Sequence, residues 1–335
     1  MAAITPLTLK SNLNVILGAM TFGAPDKFGQ SKVHELKDVE AIVDAFLKRG
    51  HREVDTARFY GEGTSEEFLG KLNWQHKDIK MATKLYPVPT LKITHSPEDL
   101  RKFLNVSLKA LNTDKIDMWY LHGPDRSTPY EETLRGVNDL YKEGYFTRFG
   151  ISNYMSWEVA EMVAICKRFG YVQPSVYQGV YNAIQRVVEP ELLPCLRKFG
   201  ITFYAFNPLA GGLFSGRYKS IDDAATGRRF DNESFEGKAY RSKYWTPTHF
   251  AALAHIQRAI EPHNLTLAEV ALRWVSHHSL LRAEHGDSVL IGSSSVDHIG
   301  KNLRDLEKGP LREDVVKALD EAWASVKGIA KPYYF

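Results

Sequence analysis

Short apolar runs alternate along the chain with longer segments of helical spacing. Eight runs read as strands: "NVILG" (14–18), "REVDT" (52–56), "IKMATK" (79–84), "IDMWYLH" (116–122), "TRFGIS" (147–152), "PSVYQ" (174–178), "ITFYAF" (201–206) and "SVLIG" (288–292). Several are apolar at almost every position, the pattern of a strand buried on both faces of a parallel sheet. Between them lie helical patterns such as "VHELKDVEAIVDAFLKRG", "SPEDLRKFLNVSLKALN" and "SWEVAEMVAICKRFG". The second and third open on a serine with a carboxylate soon after, which predicts an N-cap. The first and third close on glycine, which predicts a helix stop.

Eight β-then-α units in 335 residues predict one (β/α)8 barrel domain spanning 1–335. A doubly wound open sheet is the competing arrangement. It calls for a G-x-G-x-x-G turn after the first strand, and Gly18, Gly23 and Gly29 in "LGAMTFGAPDKFG" lack that spacing. The stretch 210–246, after the seventh strand, has no clear period. A loop of that length, rich in aromatics and arginines, is predicted to be irregular and functional.

Composition narrows the function classes. Hydrophobic residues make up 44% and charged residues 25%, ordinary for a globular protein. With 43 basic and 40 acidic residues the net charge is +3, which gives no electrostatic case for nucleic acid or a membrane surface. The two cysteines, Cys166 and Cys195, sit inside helical patterns and suit a reducing compartment rather than a disulfide scaffold. The chain opens without an apolar signal core, and no run is long enough to span a bilayer. These features predict a cytoplasmic protein acting on a small molecule.

Functional groups in such a barrel belong at the C-terminal ends of the strands. Asp55 ends the second predicted strand, with Tyr60 on the loop "DTARFYGEG" that follows; Lys84 ends the third and His122 the fourth. Singly, a strand-end lysine is solvated and a lone histidine is a core residue. Four such groups on three consecutive strand ends converge on one side of the mouth. A phenol with an ordinary pKa near ~10 is a poor acid at neutral pH. A nearby ammonium lowers that value, a carboxylate holds the ammonium charged, and a histidine can bond a substrate oxygen. Together they predict protonation of a carbonyl oxygen as its carbon takes up hydride, or the reverse. A metal-dependent barrel hydrolase would need clustered His and Asp. His122 is the only histidine at a predicted strand end, so no metal is expected.

Asp55, Tyr60, Lys84 and His122, in this order and on these strand ends, resemble the catalytic tetrad of the aldo-keto reductases. "DTARFYGEGTSE" (55–66), "GISNY" (150–154), "YQGVYNAIQR" (177–186), "FNPLAGGLFSGRY" (206–218) and "IGSSSVDHIGKNL" (291–303) fall where that family has its signature blocks. The block at 206–218 and the closing "YYF" are most similar to the aflatoxin-aldehyde and succinic-semialdehyde reductase branch. The resemblance implies an NADPH-dependent aldehyde or ketone reductase in which Tyr60 donates the proton. A homodimer is consistent with the same resemblance. The competing function is a regulatory cofactor-binding subunit on the same fold, like the potassium-channel β subunits.

The resemblance also implies a cofactor site. Asp55, Ser152, Asn153 and Gln178 would meet the nicotinamide end, with Tyr204 stacked on its ring. Asn207, Pro208, Leu209, Ala210, Gly211, Gly212, Leu213, Ser215, Gly216 and Arg217 would wrap the pyrophosphate. Many members carry a lysine where Gly292 stands and an arginine where His298 stands. Here Ser293, Ser294, His298 and Asn302 remain as polar partners, and Arg217 and Arg228 are the candidate cations for a 2′-phosphate. The implied substrate residues are Met20, Phe22, Tyr60, His122, Tyr240, Lys243 and Phe335. Lys243 replaces a loop arginine of the branch, and no arginine follows "YYF". An ammonium lacks the guanidinium fork, so acidic substrates are expected to be held weakly. Phe22, Phe59, Trp245, Tyr334 and Phe335 are expected at the mouth, favouring uncharged aromatic or dicarbonyl substrates.

Overall fold

The computed structural model describes residues 11–227 and 229–335. Eight parallel strands close on themselves in sequence order: β1 (Asn14–Gly18), β2 (Glu53–Asp55), β3 (Lys80–Leu85), β4 (Ile116–Leu121), β5 (Phe146–Ser152), β6 (Val176–Val180), β7 (Thr202–Phe206) and β8 (Ser288–Gly292). The seam pairs Ile16 of β1 with Leu290 of β8 and with Glu53 of β2. Helices α1 (Leu36–Leu47), α2 (Thr64–Gly70), α3 (Pro97–Ala110), α4 (Tyr130–Lys142), α5 (Ser156–Phe169) and α6 (Leu192–Phe199) follow the first six strands in turn. Three helices separate β7 from β8: α7 (Phe235–Tyr244), α8 (Pro247–Ile260) and α9 (Leu267–His277). After β8 come α10 (Val296–Leu306) and α11 (Glu313–Val326). The fold is the expected (β/α)8 barrel.

Strand side chains alternate between two cores. Ile16, Met118, Tyr120, Val176, Tyr204 and Leu290 fill the barrel. Their neighbours Val15, Leu17, Trp119, Leu121, Tyr177 and Phe203 join the larger shell between sheet and helices. Gly150 makes room inside, because a Cβ there would lie 2.4 Å from the Tyr120 ring. Both families of strand position are therefore apolar, which is why the runs look unbroken in the sequence.

Polar groups on the inward faces close the barrel floor. Arg148 of β5 donates to Glu53 Oε2 at 2.9 Å, to Asp117 Oδ2 at 2.9 Å through Nε, and to the Tyr204 hydroxyl at 2.9 Å. Asn14 donates to Glu53 Oε1 at 2.9 Å and to Ser288 Oγ at 3.2 Å. Each of these floor groups, partly buried, has a partner.

Two local expectations change. Ser96 caps α3, accepting from the Asp99 N–H at 3.3 Å. Ser156 is instead the first residue of α5. There the Glu158 side chain folds back to accept from the Met155 N–H at 2.7 Å. The 210–246 stretch is only partly irregular: it contains a 3₁₀ turn over Ala210–Ser215 and the ten residues of α7. The helical period of α7 is obscured by Gly237, where a Cβ would lie 1.8 Å from the Asp231 carbonyl oxygen.

Candidate active site

The mouth opens into a cleft of about 2350 Å³ that runs from β1–β4 across to α10. At its base Lys84 is fully buried, 0% exposed, with its ammonium 2.5 Å from Asp55 Oδ2 and 2.6 Å from the Thr56 carbonyl oxygen. Asp55 also accepts from Gln178 Nε2 at 2.9 Å, across the barrel from β6. Burial works against both charges, raising the Asp55 pKa and lowering that of Lys84, while each partner opposes the change in the other. Two further hydrogen bonds support the pair.

The Tyr60 hydroxyl is 3.5 Å from the same ammonium, which lies 4.8 Å from the ring centroid. The Tyr60 loop is pinned on several sides. Thr56 Oγ1 and Ser65 Oγ share a 2.8 Å bond, the Ser65 hydroxyl donates to Ala19 O at 3.0 Å, and the Gly61 N–H donates to Gln30 Oε1 at 3.2 Å. Gly63, at φ 100°, lets Arg58 lie across the turn. A Cβ there would stand 1.0 Å from the guanidinium, which pairs with the buried Glu66 at 2.7 Å. His122 follows β4, its ring edge-on to Tyr60 at 5.6 Å and to Tyr86 at 5.6 Å. Its buried Nδ1 has no partner among the described residues. Burial first, then the Lys84 charge, pushes the His122 pKa well down, so the ring is neutral at physiological pH.

One electrostatic expectation reverses. From residue types alone, the Lys84 ammonium pulls the Tyr60 phenol below its ordinary value. In the folded protein burial raises that pKa, with the Asp55 charge adding to the rise. The phenol therefore keeps its proton.

The predicted residues divide into those on the cleft and those away from it. Met20, Tyr60, His122, Ser152, Asn153 and Gln178 line it. Asn153, at φ 66°, turns its amide to donate to His122 O at 2.8 Å and Ser152 Oγ at 2.9 Å. Asn207, Pro208, Leu209, Gly211, Gly212, Ser215 and Arg217 form the next wall. Gly212 has φ 101° and nothing within 4 Å of its would-be Cβ, so main chain stands bare to the cleft. Gly292, Ser293, Ser294, His298 and Asn302 form the far end, where Ser294 Oγ lies 3.0 Å from His298 Nδ1. Arg228 lies outside the described residues.

Tyr204 does not reach the mouth. It is 4% exposed, and its hydroxyl is turned to Arg148 at the floor. Phe206, two residues on and facing the same way, lines the cleft instead. Phe22 is 0% exposed beneath the β1 loop, and Ala210 and Leu213 are equally buried in the core. Gly216, in the left-handed region, lies behind the wall rather than on it.

Trp245 packs inside the long loop against Tyr218, Phe230 and Phe250 at 4.9, 4.9 and 5.0 Å, and is not at the mouth. Phe59 and Phe335 do line the cleft, whereas Tyr334 packs edge-on to Tyr333 beside it. Phe335 is fixed by its N–H to Asn153 O at 3.3 Å and by Arg126, which donates to its main-chain oxygen at 2.9 Å. The Lys243 ammonium lies 5.6 Å from the Phe335 ring and 6.0 Å from Tyr240. Burial lowers its pKa.

Sequence reading missed Phe206, Arg229 and the cations of α10. Arg229 lines the cleft, donating to the Tyr240 hydroxyl at 3.1 Å and pairing with buried Glu236 at 3.1 Å. Tyr240 in turn donates to Asn207 Oδ1 at 3.1 Å. Lys301, Arg304 and Lys308 of α10 and its C-terminal end also face the cleft. Lys301 is paired with Asp297 at 2.7 Å and Lys308 with Glu269 at 2.8 Å. The i, i+3, i+4, i+7 spacing of His298, Lys301, Asn302 and Asp305 was the available signal.

A closed (β/α)8 barrel with a buried Asp–Lys pair, a phenol and a neutral imidazole at its mouth defines a class of carbonyl oxidoreductase. The model of the Aldo/keto reductase family matches residues 14–324, and the chain belongs to that family. It is 48% identical to an aldo-keto reductase of Pseudocercospora fijiensis over 88% of this chain and all of that protein. Against aldo-keto reductase pigE of Monascus ruber the identity is 42% over the full length of both. Aflatoxin B1 aldehyde reductase member 2 of Mus musculus is 45% identical over 88% of this chain and 82% of its own. Membership makes the protein an oxidoreductase of carbonyl compounds, in a family that generally uses nicotinamide cofactors.

Proposed function

We propose that the protein reduces aldehydes and ketones to alcohols with NADPH, and that Tyr60 is the proton donor. The observation that carries this reading is the Tyr60 hydroxyl at 3.5 Å from a fully buried ammonium that Asp55 holds, beside a neutral imidazole. The phenol, whose pKa burial raises, arrives protonated. His122 and Tyr60 bond the substrate oxygen; Tyr60 gives it a proton as the carbon becomes tetrahedral. The Lys84 charge then faces the phenolate, which regains its proton from solvent.

The residues present fit a dinucleotide. The amide of Gln178, the bare main chain at Gly212, and Arg217 with the α10 cations offer in turn an amide partner, room for anionic oxygens, and charge. Phe206 takes the stacking role first given to Tyr204. When bound, the reduced nicotinamide supplies the hydride. Arg217, Arg228 and Arg304 are the candidate partners of a 2′-phosphate, which favours NADPH over NADH.

For the substrate, Phe59, Tyr86 and Phe335 make the mouth aromatic, and the Arg229 charge is already balanced by Glu236. Uncharged aromatic or dicarbonyl substrates are therefore favoured over acids. The test is initial-rate oxidation of NADPH and NADH by 4-nitrobenzaldehyde, repeated in Arg217→Gln/Arg304→Gln. We expect turnover, and a loss for NADPH that exceeds the loss for NADH by about tenfold or more, since a charge-assisted bond contributes roughly 1.5–3 kcal/mol. Tight NADPH binding without turnover of any aldehyde would select the regulatory-subunit reading.

A further inference from the structure

The cleft does not end at the catalytic groups. Beyond Tyr86 its lining continues through Val88, Leu91 and Ile93 of the β3–α3 connection to Phe103 and Val106 on α3. Leu91 is 69% exposed and Val106 42% exposed. Single exposed apolar residues are unremarkable; two large ones on one groove continuous with a reaction centre are a different observation.

The connection holds its shape. Val88 and Ile93 pair as an antiparallel bridge, with N–H to O distances of 3.0 and 3.1 Å, and the Leu91 N–H closes the turn to Val88 O at 2.9 Å. Lys92 completes the turn in the left-handed region, at φ 53°. Charge at the groove is partly paired, and the Lys102 ammonium stands 5.0 Å over the Phe103 ring, its apolar stem beside the lining. Arg58 on its wall is paired with Glu66 at 2.7 Å, and Glu62 with Lys27 at 2.7 Å. Tyr86 joins the groove to the mouth: its ring is 5.6 Å from His122 and 5.9 Å from Phe59.

We propose that this groove is a substrate subsite for an unbranched apolar chain, so that the enzyme takes medium-chain aliphatic aldehydes with the carbonyl at His122 and Tyr60 and the chain laid along Leu91 and Val106. The proposal rests on the reductase reading above. It commits the groove to the substrate rather than to another copy of the protein, because the apolar lining is continuous with the reaction centre.

A methylene resting on one apolar wall gains about half the free energy of full burial, or roughly twofold in affinity. From butanal to octanal, kcat/KM should therefore rise on the order of tenfold. In Leu91→Asp/Val106→Asp the octanal-to-butanal ratio should fall towards one. Taking the ratio within each variant cancels any loss of active enzyme. Calorimetric binding of butanol, hexanol and octanol supplies a readout independent of turnover, and the same length dependence and its loss in the variant are expected.

If no aldehyde is turned over, the reductase reading fails, and the alcohol series still decides the groove. A flat length dependence in the unmodified protein, or one that survives both substitutions, overturns the proposal. So does a variant that turns a dimer into a monomer at an unchanged ratio, since the groove would then be a contact between copies.

Discussion

At the floor of the barrel, Glu53, Arg148 and Tyr204 hold one another; at the mouth, two to four residues further along the same strands, stand Asp55, Ser152 and Phe206. The mouth buries its charged pair, and the floor half-buries its own. At the floor Arg148 spreads its donors over Glu53, Asp117 and Tyr204, and the network is closed on itself. At the mouth the Asp55–Lys84 pair is closed, yet Tyr60 faces the cleft and His122 keeps a buried ring nitrogen without a partner among the described residues. A satisfied network fixes a shape. An incompletely satisfied one beside a cleft leaves groups free for a ligand.

The comparison is broken most severely at Lys84. Lys84→Met removes the partner of a buried carboxylate, and we expect a loss of about 3–5 kcal/mol of stability. Turnover should fall by a hundredfold or more, as for loss of acid–base catalysis. Chemical denaturation and kcat check the two effects separately. A normal midpoint with normal turnover would mean that Asp55 is neutral in the fold.

A middle-sized effect is expected at Glu236. Glu236→Gln leaves the Arg229 guanidinium without its 3.1 Å counter-charge. The preference, measured as kcat/KM for 2-carboxybenzaldehyde over 4-nitrobenzaldehyde, should shift towards the acid by about tenfold, the equivalent of one charge-assisted contact. An unchanged ratio would place the substrate out of reach of Arg229.

The smallest effect is a flat line. With the phenol pKa raised and the imidazole pKa lowered, neither group titrates near neutrality. The kcat/KM for reduction should stay level from about pH 6 to about pH 9, because the acid stays protonated until the pH exceeds the ordinary tyrosine value near ~10. A basic limb near about pH 8 would show that Lys84 does pull the phenol down, as the residue types alone suggested.

All eight strands were legible, because apolar runs bounded by turns mark a sheet buried on both faces. Asp55, Lys84 and His122 were legible because polar residues at the ends of such runs stand out. Parity was harder. Tyr204 and Phe206 face the same way, and only the position of Arg148 beneath Tyr204 shows which ring serves the floor and which the cleft. Phe22 and Trp245 are aromatic in sequence like Phe59, but tertiary packing decides that they are core. The sign of the Tyr60 shift was illegible for a related reason: burial outweighs the neighbouring ammonium, and depth is a property of the fold. Arg229 was hidden in a loop whose helix α7 is masked by Gly237.

Two tyrosines at opposite ends of the barrel give the most direct test, since Tyr60→Phe and Tyr204→Phe each remove one hydroxyl. For Tyr60→Phe, kcat should fall on the order of a hundred- to ten-thousand-fold, with NADPH affinity by fluorescence quenching and the denaturation midpoint unchanged. For Tyr204→Phe, kcat should be kept while stability falls by about 0.5–1.5 kcal/mol, the net contribution of a hydrogen bond. Near-normal turnover in Tyr60→Phe, or an equal loss of turnover in both, would contradict the assignment of Tyr60 as the proton donor.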